Sequence, residues 1–216
     1  MKKKSVLIYQ IACLLLLLVS VAVLAYQKHA ESKNTEVSES QTALSANKDN
    51  KDALSVIFNR KSVRNYTADP VSEENVQTLI KAGMSAPSGK DIRPWEFLIV
   101  DNRDVLNTLA EELPHAKMLS HAPMAIIVCG DSARSSYWYL DCSAAAQNIL
   151  LAAEALNLGA VWTAAYPYED RMDAVAKNAN LPPHVLPLCI IPVGHPNGEF
   201  MPKDKFDESK IHYDKW

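Results

Sequence analysis

From Tyr137 to Leu158 the chain runs through Ala, Leu and Ile with few polar side chains between them. A helix that is apolar nearly all round is a buried helix, so whatever this chain folds into has to wrap this segment. At 48% hydrophobic and 22% charged, the 216 residues are ordinary globular material with enough length for one domain and a full core.

Around that helix the pattern alternates. Helices are predicted over 53–59, 73–84, 102–113 and 168–178, with Ser72 as an N-cap and Glu73 and Glu74 favouring the first turn it opens. Strands are predicted over 95–100, 124–129, 160–165 and 186–193. Pro187 and Pro192 argue that the last strand lies at an edge or a bulge, because proline cannot donate to a ladder. Gly159 is expected as the C′ residue that ends the long helix. The tail, 198–216, is polar with scattered aromatics (Phe200, Phe206, Tyr213, Trp216) and is expected to pack across a surface.

The N-terminal region reads differently. Residues 5–27 carry no charge and follow Lys2-Lys3-Lys4; an apolar run of about 20 residues is long enough to span a bilayer. An uncleaved signal anchor is the first reading, and a signal peptide removed near Val23-Leu24-Ala25 is the second. Both place the rest of the chain outside the cytoplasm, with the lysines inside. Cys13 is not a lipoprotein cysteine, since Gln10 stands where an apolar residue is wanted. Residues 28–50 are polar and Ser/Asn/Glu/Lys-rich, as in a flexible tether. The folded domain is therefore 51–216.

Charge defines the ligand class. Residues 51–216 hold 16 basic and 21 acidic side chains, a net of −5, which excludes a nucleic-acid surface. Against that background, Arg60-Lys61-Ser62-Val63-Arg64 concentrates three cations and a hydroxyl. Phosphate is often held by the backbone of a Gly-rich loop, yet the chain has six Gly and no G-x-G. A phosphate bound here is gripped by guanidinium, ammonium and hydroxyl groups.

Other chemistries find no support. Cys129, Cys142 and Cys189 stand in apolar settings, and none forms a C-x-x-C or a Cys/His ligand spacing, so no metal site is expected. G-x-S-x-G and H-E-x-x-H are absent, and no catalytic side chain is assigned. His115, His121, His184 and His195 adjoin prolines or helix ends and are read as structural. Asp141 is expected at a cap or a surface.

Four motifs then occur in order: Arg60 to Tyr66 (RKSVRNY), Ala86-Pro87-Ser88 followed by Pro94-Trp95-Glu96-Phe97, Leu158-Gly159-Ala160-Val161-Trp162, and Pro192-Val193-Gly194-His195-Pro196 with a basic tail. Together they resemble the FMN-dependent nitroreductase family over nearly all of 51–216. The resemblance implies an α+β fold, a central mostly antiparallel sheet flanked by helices, in a homodimer that binds two FMN at its interface.

Carried over by position, the resemblance places Arg60, Ser62 and Arg64 on the FMN phosphate and ribityl chain, with Lys61 contributing. Pro87 and Ser88 would approach the flavin from the other subunit, and Thr163, Ala164 and Ala165 would lie along the ring. Lys203 and Lys205 would close on the phosphate from the tail. Asp91 and Arg93 stand where many members have Asn and Gln, and are kept as candidate contacts. Lys205 replaces a common arginine, a point charge in place of a bidentate fork.

The implied chemistry passes electrons from NADH or NADPH, through flavin, to a small electron-poor acceptor such as a nitro or quinone compound. Two alternatives stay open. One is flavin-dependent reductive dehalogenation, for which 102–122 is the candidate lid, although short for that task. The other is a non-enzymatic flavin-binding module.

Overall fold

The structure, a computed structural model, describes residues 52–216; the expectations for 1–27 and 28–50 lie outside the described residues. Residues 51–216 form one compact unit. Its elements are α1 (Ala53–Asn59), α2 (Glu73–Met84), β1 (Trp95–Val100), α3 (Arg103–Glu112), β2 (Met124–Asp131), α4 (Trp138–Ala155), β3 (Gly159–Ala160), β4 (Thr163–Ala164), α5 (Glu169–Asn178) and β5 (Val185–Gly194).

Several ends are set by local chemistry. Asp52, Ser72 and Asn102 each accept a backbone N–H at the start of α1, α2 and α3. The long helix α4 stops differently from the expectation. Asn157, not Gly159, adopts the left-handed conformation after it, at φ 56°, and Leu158 N–H donates back to Ala153 O. Gly159 is needed for another reason: a Cβ there would lie 2.5 Å from Val63 Cγ1.

The sheet runs β1-β2-β5-β3, with β4 also on β5, and its strand pairings are antiparallel. β5 is therefore central, so of the two positions its prolines allowed, an edge or a bulge, the bulge is the one observed: the pairing passes from Cys189 to Pro187 between Val128 and Cys129 and leaves out Leu188. Both prolines sit where the ladder is already interrupted. The β2 register shifts opposite Pro187. Pro192 faces the interval between β3 and β4, where its carbonyl accepts the Tyr66 hydroxyl at 3.4 Å. The strand expected over 160–165 is likewise split, because Val161 and Trp162 leave the ladder.

Each face of the sheet has its own core. Ile126, Val128 and Ile191 pack with Leu79 of α2 and with Cys142, Ala146 and Ile149 of α4. Ile127, Cys129 and Ile190 pack with Leu106 and Leu109 of α3 and with Val175 of α5. Strands buried on both faces read as continuous apolar runs, as 124–130 and 188–194 do. The candidate lid, 102–122, belongs to this second core: Leu106, Leu109, Leu113, Ala116 and Leu119 are all buried.

α4 is less enclosed than its composition implies. Leu140 is 52% exposed on its outer side, near the exposed Tyr137. Leu54, Ile57 and Phe58 of α1 also stand exposed. Among the described residues no helix is long and apolar enough to cross a membrane.

Candidate functional site

The basic segment 60–64 is laid along the free edge of β3. Val63 N–H donates to Ala160 O at 3.0 Å, and Ser62 bridges Ala160 in parallel. Val63 is the anchor, 2% exposed over Gly159, and the buried Tyr66 hydroxyl donates to its carbonyl at 2.6 Å. Burial raises the Tyr66 hydroxyl above its ordinary pKa, so it stays protonated and remains a donor.

Extended backbone turns alternate side chains to opposite sides. Arg60 and Ser62 line a recess of about 1080 Å³ together with Trp162, Lys203 and Lys205. The first turn of the domain and its tail thus bring two pairs of polar or cationic groups to one space. Lys61 points the other way. Its ammonium meets the Glu154 carboxylate at 3.0 and 3.2 Å, where both side chains are largely covered.

A second recess, about 330 Å³, is lined by Arg64, His115, Trp162, Thr163, Ala164 and Arg171. Trp162 borders both recesses, so the departure of residues 161–162 from the sheet places one indole at the seam. Ala165 is fully buried and acts through the backbone only, its N–H donating to Leu188 O at 3.0 Å.

The loop after α2 carries Pro87, Ser88, Asp91 and Arg93, and these residues line neither recess. The Ser88 hydroxyl is committed within the chain. It donates to Asp141 at 2.8 Å and accepts the Arg93 backbone N–H at 2.8 Å. Asp141 is 6% exposed, which corrects the cap or surface position expected for it. Its second duty is to accept the Gly89 N–H at 3.1 Å. Arg93 donates twice to Asp91, both at 2.6 Å, and this fork holds the Asp91 carboxyl below its ordinary pKa. Lys90, Asp91 and Arg93 all adopt positive φ, 54°, 56° and 53°, a conformation that costs side-chain-bearing residues free energy.

The thiols are inert. Burial pushes Cys129 and Cys142 up to about 12 and Cys189 well above its ordinary value. Among the described residues no cluster of three His, Cys, Asp or Glu side chains is placed to hold a metal ion.

What the recesses offer is a set of cationic and hydroxyl donors around one space, Arg60, Ser62, Lys203 and Lys205 with Asp204 among them, and two guanidinium-bearing side chains on the other. A model of the nitroreductase family matches residues 57–117 and 108–195. The chain belongs to the nitroreductase family. Among solved structures, this nitroreductase-family chain is 62% identical to a Bacteroides thetaiotaomicron protein whose name provisionally assigns it as an NADH dehydrogenase/NAD(P)H nitroreductase. The TM-score is 0.76, covering 77% of this chain and 99% of that one. An FMN-dependent nitroreductase from Clostridium difficile is 27% identical at a TM-score of 0.72, covering 76% and 99%. A Methanothermobacter thermautotrophicus protein of the same provisional name as the first is 44% identical over 168 residues, 76% of this chain and 88% of that protein. The α+β nitroreductase fold, with its mostly antiparallel sheet, is the one observed.

Three residues at or beneath the site were not singled out from sequence. Arg171 carried no signal beyond membership of a helix. Glu154 was one acid among many, although its place in an otherwise apolar helix was a clue. Trp162 lay within a family motif but was given no role.

Proposed function

We propose that the chain is an FMN-dependent oxidoreductase that passes electrons from NADH or NADPH to a small electron-poor acceptor, a nitro or quinone compound. FMN is the cofactor, and the enzyme class is that of NAD(P)H-dependent flavin oxidoreductases. The observation that carries this reading is the meeting of Arg60 and Ser62 with Lys203 and Lys205 around one recess. Two cations and a hydroxyl next to a guanidinium suit a phosphate dianion through charge-assisted hydrogen bonds.

Bound FMN supplies the hydride and electron chemistry. The protein holds, orients and tunes. Arg60, Ser62, Lys203 and Lys205 take the phosphate end. Thr163 and Ala164 present the short wall of the second recess along which a flat ring fits, with Arg64 at its margin. Lys61, bound to Glu154, fixes the register of the phosphate segment against α4 and is not itself a phosphate ligand.

The same reading includes a second copy of the chain. Exposed Leu54, Ile57 and Phe58 on α1 and Leu140 on α4 form apolar surface that a homodimer would cover, and Pro87 to Arg93 would then face the partner's flavin. It also includes export: residues 5–27 anchor or direct the chain so that the domain lies outside the cytoplasm. Protease added to intact cells should digest 52–216 in that case and spare it otherwise. The reductive-dehalogenase alternative stays open: 102–122 packs its leucines into the second core, while its Pro114, His115 and Met118 line the second recess.

The test is anaerobic. Purified protein should be yellow, bleach on addition of NADH or NADPH, and recover its colour with a quinone or a nitroaromatic. Colour that survives both donors but bleaches with dithionite would favour a flavin-binding module without this activity.

A further inference from the structure

The second recess contains two guanidinium groups and no carboxylate. Arg64 and Arg171 both line it, with His115 nearby, on a domain that is acidic as a whole. Neither arginine forms an ion pair among the described residues. Arg171 rises from the first turn of α5, and its guanidinium carbon lies 3.8 Å from the centre of the Tyr168 ring. That stacking holds the charge flat. Arg171 Nε is buried without a hydrogen-bond partner.

A solvated surface arginine would have no such fixed geometry. Two unpaired cations on one small recess repel. That repulsion falls if an electron-rich group occupies the recess, whereas Nε is closed off by the protein itself and helps to hold the side chain in place. The occupant is narrowed by position, because the recess joins the phosphate recess across Trp162 and shares Thr163 and Ala164 with the expected ring wall.

We propose that Arg171, paired with Arg64, is an electrostatic residue for the flavin ring, and that it sets how readily the ring accepts electrons. The inference rests on the FMN reading above. Hydride transfer from the nicotinamide donor adds two electrons and leaves one negative charge on the ring, while the donor departs as its oxidised cation. Fixed cations aimed at developing charge need no reorganisation when it appears. Arg171 therefore favours the reduced ring over the oxidised one.

The experiment measures the midpoint potential of the flavin-loaded full chain against a reference dye, for wild type, Arg171→Gln and Arg171→Lys. Arg171→Gln should shift the potential negative by about 30 mV or more, a tenfold change in the two-electron equilibrium. Arg171→Lys should recover most of that shift. FMN retained at an unmoved potential in Arg171→Gln, or equal shifts in both variants, overturns the inference alone. If Arg171→Gln does not fold, Tyr168→Leu, which removes the support under the guanidinium, must move the potential in the same direction, and an unmoved value there overturns it as well. Wild-type protein that never takes up FMN overturns the functional reading and this inference with it.

Discussion

Asp141 accepts the Ser88 hydroxyl at 2.8 Å and the Gly89 N–H at 3.1 Å, so one buried carboxylate on α4 fixes the loop that follows α2. Held this way, the loop sustains three side-chain-bearing residues at positive φ. Asp141→Ala strands the Gly89 donor and the Ser88 hydroxyl together. It should lower unfolding free energy by about 1–3 kcal/mol, read from urea midpoints at constant m. Ser88→Ala should cost less, because Asp141 keeps its Gly89 donor.

The Gly159 position makes a packing prediction. A Cβ would lie 2.5 Å from Val63 Cγ1 and 2.8 Å from Val63 Cβ, and both backbones are pinned by the bond from Val63 N–H to Ala160 O. Gly159→Ala should destabilise by about 1–3 kcal/mol, the usual cost of overpacking, and weaken FMN binding by displacing Ser62. Pairing it with Val63→Ala should restore part of both, which a double-mutant cycle in urea and an FMN titration would reveal.

Much of this arrangement could be read from the chain. The helices at 53–59 and 73–84 and the strand at 95–100 were legible locally: Ser72 satisfies the first N–H groups of the second helix, and 95–100 is a short aromatic and β-branched run. β5 was harder. Its prolines say that donors are missing, but not whether water, a bulge or a gap between two short strands removes the need for them. Arg60 and Ser62 were legible because extended backbone and charge act locally. Glu154 and Asp141 were not, because the value of a carboxylate in an apolar helix depends on which loop arrives beside it. Lys61 shows the same limit: its composition matched its neighbours, and its direction did not.

Alternation also separates neighbours by function. Arg60→Gln should weaken FMN binding tenfold or more, the loss of one charge-assisted contact of about 1.5–3 kcal/mol. Lys61→Gln should leave affinity within about threefold (under 1 kcal/mol) and lower thermal stability instead. Flavin fluorescence quenching and a melting curve on the same samples distinguish the two.

The buried thiols predict an alkaline limit. Cys129 and Cys142 titrate near 12 when folded against an ordinary 9.0, so between those values the folded state binds more protons than the unfolded state. Stability should therefore fall as pH rises from about 9 toward 12. Urea midpoints at pH 8 and pH 10 would show the fall, and Cys142→Ala should flatten it. Below pH 9 iodoacetamide should leave Cys129, Cys142 and Cys189 unmodified in peptide maps until the protein unfolds.

The most direct measurement compares FMN with riboflavin, which has the same ring and no phosphate. If Arg60, Ser62, Lys203 and Lys205 grip the phosphate, FMN should bind at least about 100-fold more tightly, some 2.7 kcal/mol, and an Arg60→Gln/Lys205→Gln double variant should close most of that gap. Equal affinity for the two ligands in the unsubstituted chain would contradict the account.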